Sequence, residues 1–237
     1  MFESSIAAVI CAAGASRRMG GVKKEFLPLK ESGSALTVLG AAVFAFASVP
    51  SIKTIVIAIP ENGEQAARQA LPPELLSKKR PAIRFVPGGK TRCASVYRSL
   101  SLLAVDNPRY VLIHDGARPW ITPAFIEKVI EAVKLNNAVI PILPLTETPK
   151  EYVGPFGFSP VFIVRHLKRE STGVAQTPQA FAFPEILEAY EKAAEHEYWE
   201  NVVFTDDAEV WGRFHGPVAA IPGLEQNRKI TFPSDLQ

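Results

Sequence analysis

Cysteine is scarce in this chain of 237 residues, with only Cys11 and Cys93 present. One thiol falls in an apolar predicted strand and the other at a predicted helix start, so neither a disulfide framework nor a metal-ligand spacing is available. The expected setting is a reducing cytoplasm. Histidine is nearly as rare, at four, with no spacing suited to a metal and no Ser/His/Asp or Cys/His pairing of the hydrolase kind. Neither sign of charge prevails: Lys+Arg 26 against Asp+Glu 24 leaves +2, which argues against attachment to nucleic acid through a general basic face. Long apolar runs are missing too. No stretch nears the roughly 20 residues of a membrane span, no basic region leads into a signal-peptide core, and no membrane partner is expected. Neither Gly-x-Gly-x-x-Gly nor Gly-x-x-x-x-Gly-Lys-Ser/Thr follows a strand, which disfavours a dehydrogenase or a P-loop enzyme.

What is present is apolar material, 47% of residues, enough for a core that needs no staples. Apolar, often β-branched runs at Ile6–Ala12, Thr54–Ile59, Ala82–Val86, Tyr110–His114 and Ala138–Leu143 read as strands. Between and after them, helical periodicity covers Ala35–Ser48, Glu61–Ala70, Arg92–Ala104, Pro123–Leu135 and Pro184–His196. This alternation predicts an α/β domain with a mostly parallel sheet covered on both faces. Residues 1–237 are read as one domain, interrupted at about 145–168 by a segment too rich in proline and glycine for helix. That segment predicts a protruding arm carrying Tyr152, Phe156 and Phe158. Such rings either build a homodimer or cover the domain's own sheet.

Three strand ends carry polar chemistry. The first strand breaks at Gly14 into a loop with Arg17, Arg18, Lys23 and Lys24. Cations beyond the carboxyl end of a strand in an open sheet suit an anion, phosphate first; the alternative is solvated surface. Gly88-Gly89-Lys90-Thr91-Arg92 also follows a strand and opens a helix, whose free N–H groups favour an anion or the acceptor edge of a base. His114-Asp115-Gly116-Ala117-Arg118 closes the fourth strand. Asp115 there can hold a divalent cation bridging phosphate oxygens, or simply pair with Arg118 across the turn.

These clusters, in this order, resemble the 2-C-methyl-D-erythritol 4-phosphate cytidylyltransferase family. The resemblance runs through Ala12-Ala13-Gly14-Ala15-Ser16-Arg17-Arg18-Met19-Gly20, Lys24-Glu25-Phe26, Gly88-Gly89 with Arg92 and Ser95-Val96, His114 to Pro119, Thr177-Pro178-Gln179 and Lys229-Ile230-Thr231. It implies a Rossmann-like three-layer α/β/α domain of the nucleotide-diphospho-sugar transferase kind, with a β-arm that builds a homodimer. It also implies Mg²⁺-dependent transfer of a cytidylyl group from CTP to 2-C-methyl-D-erythritol 4-phosphate in the non-mevalonate isoprenoid pathway, with loss of pyrophosphate.

By the same resemblance Arg18 and Lys24 stabilise charge on the transferred and leaving phosphates, and Lys229 contacts the α-phosphate. Asp115 meets magnesium or the acceptor hydroxyls, supported by Arg118. Arg169 and Thr148 grip the acceptor phosphate from the neighbouring subunit. Cytosine sits against Ala13, Gly14 and Gly89, with Ser95 close by. Lys23 stands where the family usually has proline, Glu25 where glutamine is frequent, and Lys90 where an acidic or small residue is common. Two rivals are a cytidylyltransferase for ribitol 5-phosphate, whose strand-end motif more often has valine where Ala117 stands, and a nucleotide-binding paralogue without catalysis. Lys24 is expected to be a surface-loop residue with few packing duties.

Overall fold

The five apolar runs expected as strands all lie in one sheet. The computed structural model describes residues 5–29, 36–77, 81–154, 160–195 and 204–236. Its strands are β1 (Ile6–Cys11), β2 (Ile52–Ile59), β3 (Ala82–Pro87), β4 (Tyr110–Asp115), β5 (Ala138–Pro144), β6 (Lys150–Val153), β7 (Phe162–His166), β8 (Gly173–Ala175), β9 (Gln179–Ala182) and β10 (Ala219–Pro222). The large sheet has the order β10-β5-β9-β4-β1-β2-β3, with β8 added to β5. β1 pairs in parallel with β2 and β4, and β2 with β3, while β9 runs antiparallel between β4 and β5. The sheet is therefore mixed and mostly parallel.

The helices are α1 (Val38–Ala47), α2 (Glu64–Gln69), α3 (Pro73–Ser77), α4 (Arg92–Leu103), α5 (Pro123–Asn136), α6 (Glu185–Glu195) and α7 (Asp207–Phe214). They flank the sheet, with α1 touching α5 in one group and α4, α6 and α7 packed together in another. Threonine side chains set several starts. Thr37, Thr91 and Thr122 accept from the backbone N–H of Gly40, Ala94 and Phe125, satisfying donors that have no partner in a first turn. α5 stops where Asn137 enters the left-handed region at φ 61°.

The helix expected over Glu61–Ala70 begins later, at Glu64. Asn62 has φ 60° and Gly63 donates to the Pro60 carbonyl at 2.9 Å, so the first residues form a turn. A second short helix, α3, follows, with Pro73 in its first position. Ala35 and His196, expected helix ends, lie outside the described residues.

β6 and β7 form a separate antiparallel ribbon between β5 and β8. Its described apolar side chains, Tyr152, Val153, Phe162, Ile163 and Val164, are exposed, Phe162 to 75%, rather than laid on the sheet. Phe156 and Phe158 lie outside the described residues.

Candidate active site

All three polar loops open at the carboxyl edge of β1, β3 and β4, which places their side chains around one cleft of about 620 Å³. The loop after β1 turns through left-handed backbone at Ser16, Gly20 and Gly21, with φ of 48°, 65° and 85°. The two glycines meet that demand without steric cost. Arg18, with its guanidinium 5.8 Å from the centre of the Phe232 ring, and Lys24 both face the cleft.

Lys24 is not the surface residue expected. It is 8% exposed, and its Nζ donates to the Ile230 carbonyl at 2.6 Å, tying the first loop to the C-terminal segment. Burial draws its pKa down against the pull of Glu25, and the cations Lys229 and Arg18 push the same way. An ammonium so crowded by like charge gains from an incoming anion.

The second loop approaches the first very closely. A Cβ at Gly88 would stand 2.2 Å from the Ala13 Cβ, so only glycine fits. The Ser95 hydroxyl is spent on this turn: it accepts from the Gly89 N–H at 3.0 Å and donates to the Thr91 carbonyl at 2.9 Å. Ala13, Gly14, Gly89 and Ser95 all line the cleft.

Asp115 lies at the centre of the charge pattern. Its Oδ2 is 2.9 Å from Lys229 Nζ and 3.4 Å from Arg118 Nε, and its Oδ1 is 3.6 Å from Arg92 Nε. Burial would raise its pKa, but Lys229, then Arg92 and Arg118, outweigh it and hold the carboxyl well below the usual carboxylate range. The Asp115–Arg118 turn pair, offered as an alternative, is thus present as part of a larger cluster.

Behind it, His114 Nε2 is 3.2 Å from the Arg118 carbonyl, which can only accept, so Nε2 carries the proton. Nδ1 then accepts from the Thr177 hydroxyl at 2.9 Å, and the same oxygen accepts from the Asp115 N–H at 3.0 Å. Burial pushes the imidazole pKa down to about 4. His114 is a neutral strut, not a general base.

A second hollow of about 280 Å³ shares Arg92, Asp115 and Lys229 with the first and adds Arg118 and Thr177. Asp115 and Lys229 therefore stand between two compartments. Thr148 and Arg169 line neither. Thr148 is exposed just before β6, and Arg169, also exposed, donates to the Thr146 carbonyl at 3.0 Å. Cys11 lines the cleft, but burial pushes its thiol up to about 12, so it is a packing group rather than a nucleophile.

The family model described as 2-C-methyl-D-erythritol 4-phosphate cytidylyltransferase matches residues 6–237. The chain belongs to this family. A relative of that name from Pelotomaculum thermopropionicum is 35% identical over 232 residues, covering 98% of this chain and 91% of its own. Another from Dehalococcoides mccartyi is 36% identical over 234 residues, covering 99% and 94%. A solved structure titled 4-diphosphocytidyl-2C-methyl-D-erythritol synthase, from Anaerococcus prevotii, superposes with TM-score 0.79 at 28% identity, covering 99% of this chain and 93% of that one. A cytidylyltransferase is a nucleotidyltransferase, and a mixed α/β sheet of this order is its frame.

In this cytidylyltransferase family member, Arg92 is the cleft residue to which sequence reasoning gave no role. Its guanidinium makes two bonds, at 2.8 and 2.7 Å, to the fully buried Asp207, which also accepts from the Tyr190 hydroxyl. The legible signal was a cation at the first position of α4. A positive charge there opposes the helix dipole and calls for a nearby acid.

Proposed function

We propose that this protein transfers a cytidylyl group from CTP to 2-C-methyl-D-erythritol 4-phosphate, releasing pyrophosphate. The observation that carries this reading is the cationic cleft: Arg18 and Lys24 face it from the loop after β1 and Lys229 from a segment far along the chain, and Asp115 and Lys229 lead into a second hollow of about 280 Å³. Family membership supplies the nucleotide and the acceptor.

An acceptor phosphate oxygen attacks the α-phosphorus as the bond to the β-phosphate oxygen breaks. The protein's contribution to such a transfer is alignment and charge neutralisation. Lys229 holds the α-phosphate and the nucleophile together, since it belongs to both compartments. Arg18 and Lys24 take charge that grows on the leaving pyrophosphate. Cytosine lies along the Ala13–Gly14 and Gly88–Gly89 backbone, where close loop contact excludes a purine by size and reversed hydrogen bonding at position 4 excludes uracil.

The donor set fits magnesium that arrives with the nucleotide: among the described residues no group of three His, Cys, Asp or Glu side chains is close enough to cage an ion, yet Asp115 offers one ionised carboxylate. Magnesium commonly keeps one or two protein carboxylates and takes the rest from phosphate and water. Asp115 would hold it, and its chemistry when bound is neutralisation of phosphate charge.

The arm is read as a dimer element. Exposed Phe162, Ile163 and Val164 call for a partner surface, and a second copy would bring Thr148 and Arg169 to the acceptor phosphate. No helix of the described residues is long and apolar enough to cross a membrane. The enzyme is read as cytoplasmic, acting on neither nucleic acid nor membrane.

Pyrophosphate release with magnesium and CTP tests the reading. Release with 2-C-methyl-D-erythritol 4-phosphate and little with ribitol 5-phosphate is the result expected. Preference for ribitol 5-phosphate would move the enzyme to another acceptor, and silence with both would leave a nucleotide-binding protein.

A further inference from the structure

Glu25 is out of place by simple electrostatics. It is a buried carboxylate in the wall of a cleft built for a polyanion, where it repels the ligand. Its partners explain why it is tolerated. Glu25 Oε2 lies 3.3 Å from Lys23 Nζ and accepts from the Ser16 hydroxyl at 3.3 Å, while Lys23 Nζ also donates to the Gly14 carbonyl at 2.5 Å. Two links, Gly14 to Lys23 and Ser16 to Glu25, thus each span nine residues and close the same loop. Between them lie the left-handed residues Ser16, Gly20 and Gly21, the part of the loop with most freedom to lose its shape.

Lys23 itself does not line the cleft, although Lys24 and Glu25 do. Its ammonium neutralises the negative end of the Gly14 carbonyl, leaving the donor side of that peptide for the ligand. Burial draws the Lys23 pKa down, and Glu25 opposes that fall, so the acid keeps its partner charged.

We propose that Lys23 and Glu25 form a clasp that holds the loop from Gly14 to Gly21 in its anion-accepting shape, making Lys23 a positioning residue for the nucleotide triphosphate. This deepens the nucleotide reading of the cleft and rests on it.

The test uses the full chain and the variants Lys23→Met, Glu25→Ala, the double variant and Lys23→Arg. In ligand-free protein, hydrogen exchange of residues 15–22 should speed on the order of tenfold in each of the first two, the loss expected for a charge-assisted bond. Because the two residues share one ion pair, the double variant should fall short of the product of the two single effects, and Lys23→Arg should stay near the parent. Calorimetry with magnesium and CTP should then show binding weakened on the order of tenfold by Glu25→Ala as well as by Lys23→Met. Removing a carboxylate from an anion site without a clasp would instead tighten it.

Unchanged loop exchange, tighter CTP binding by Glu25→Ala, or effects that multiply in the double variant would each overturn the clasp. Should Glu25→Ala not fold, the isosteric Glu25→Gln replaces it, with a smaller rise in exchange expected and no rise counting against the proposal. A parent protein that fails to bind CTP refutes the nucleotide reading instead, and the exchange data still decide the clasp.

Discussion

Replacing Arg92 by methionine isolates one buried charge and lets its cost be worked out. Asp207 is fully buried, and Arg92 supplies two of its bonds, at 2.8 and 2.7 Å. In Arg92→Met, a residue of similar length, Asp207 keeps the Tyr190 hydroxyl but no cation within bonding distance among the described salt bridges. Breaking a buried pair from one side costs about 3–5 kcal/mol, because the remaining charge is left desolvated. The Arg92 side chain is 28% exposed, so water can enter its place, and about 2–4 kcal/mol is the fitting estimate. For a chain of this size each kcal/mol lowers Tm by roughly 2–4 °C, giving a fall of roughly 4–16 °C.

The assay is thermal and urea unfolding at neutral pH of the parent, Arg92→Met, Asp207→Asn and the double variant. Asp207→Asn in the Arg92→Met background should recover part of the loss, since it removes the stranded charge and keeps the shape. A Tm for Arg92→Met within about 2 °C of the parent, or a double variant no more stable than Arg92→Met, would refute this accounting. Arg92→Met also removes one of the three cations that keep Asp115 ionised, so its turnover at a permissive temperature should fall as well.

Lys24→Ala should lower kcat/KM for cytidylyl transfer by roughly 10²–10³, the effect of losing one transition-state donor, and also cost about 1 kcal/mol because the Ile230 carbonyl loses its partner; turnover above a tenth of the parent would remove Lys24 from the mechanism. His114, with its pKa down at about 4, should show no NMR titration between pH 8 and 5. Because the unfolded chain takes that proton near pH 6.5, stability from this group is full above 6.5 and falls by about 1.4 kcal/mol per unit as pH drops toward 4; a ring titrating near 6.5 would overturn the neutral strut. Phe162→Glu should turn a dimer into a monomer in sedimentation and raise the acceptor KM while CTP affinity holds, and a parent that sediments as a monomer would end the arm proposal. Gly88→Ala should weaken CTP binding by at least about tenfold in calorimetry, since a Cβ 2.2 Å from that of Ala13 forces the two loops apart.

Strands buried on both faces announce themselves as continuous apolar runs, which is why β1, β2, β4 and β5 were legible in the sequence, and with the shorter run of β3 they exposed the three polar loops that follow β1, β3 and β4. The short antiparallel insertion was not legible. β9 is four residues, Gln-Ala-Phe-Ala, behind Pro178, and such a run has no periodicity to distinguish it from a loop. Yet β9 organises the site. By entering between β4 and β5 it sets Thr177 against Asp115 and His114, and Gln179 against the start of α7, where its Oε1 accepts from the Asp207 and Ala208 N–H groups at 3.0 Å. That placement brings Asp207 to Arg92 across 115 residues of chain, and a similar long-range closure brings Lys24 to the Ile230 carbonyl across 206. A helix-opening arginine signals that an acid is needed, but neither it nor a loop lysine marks which distant residue is the partner. The residues that bear charge at a strand end can be picked out one by one, but which acid holds which cation follows from the sheet order, so Asp115 becomes a junction between two compartments only once β9 is in place.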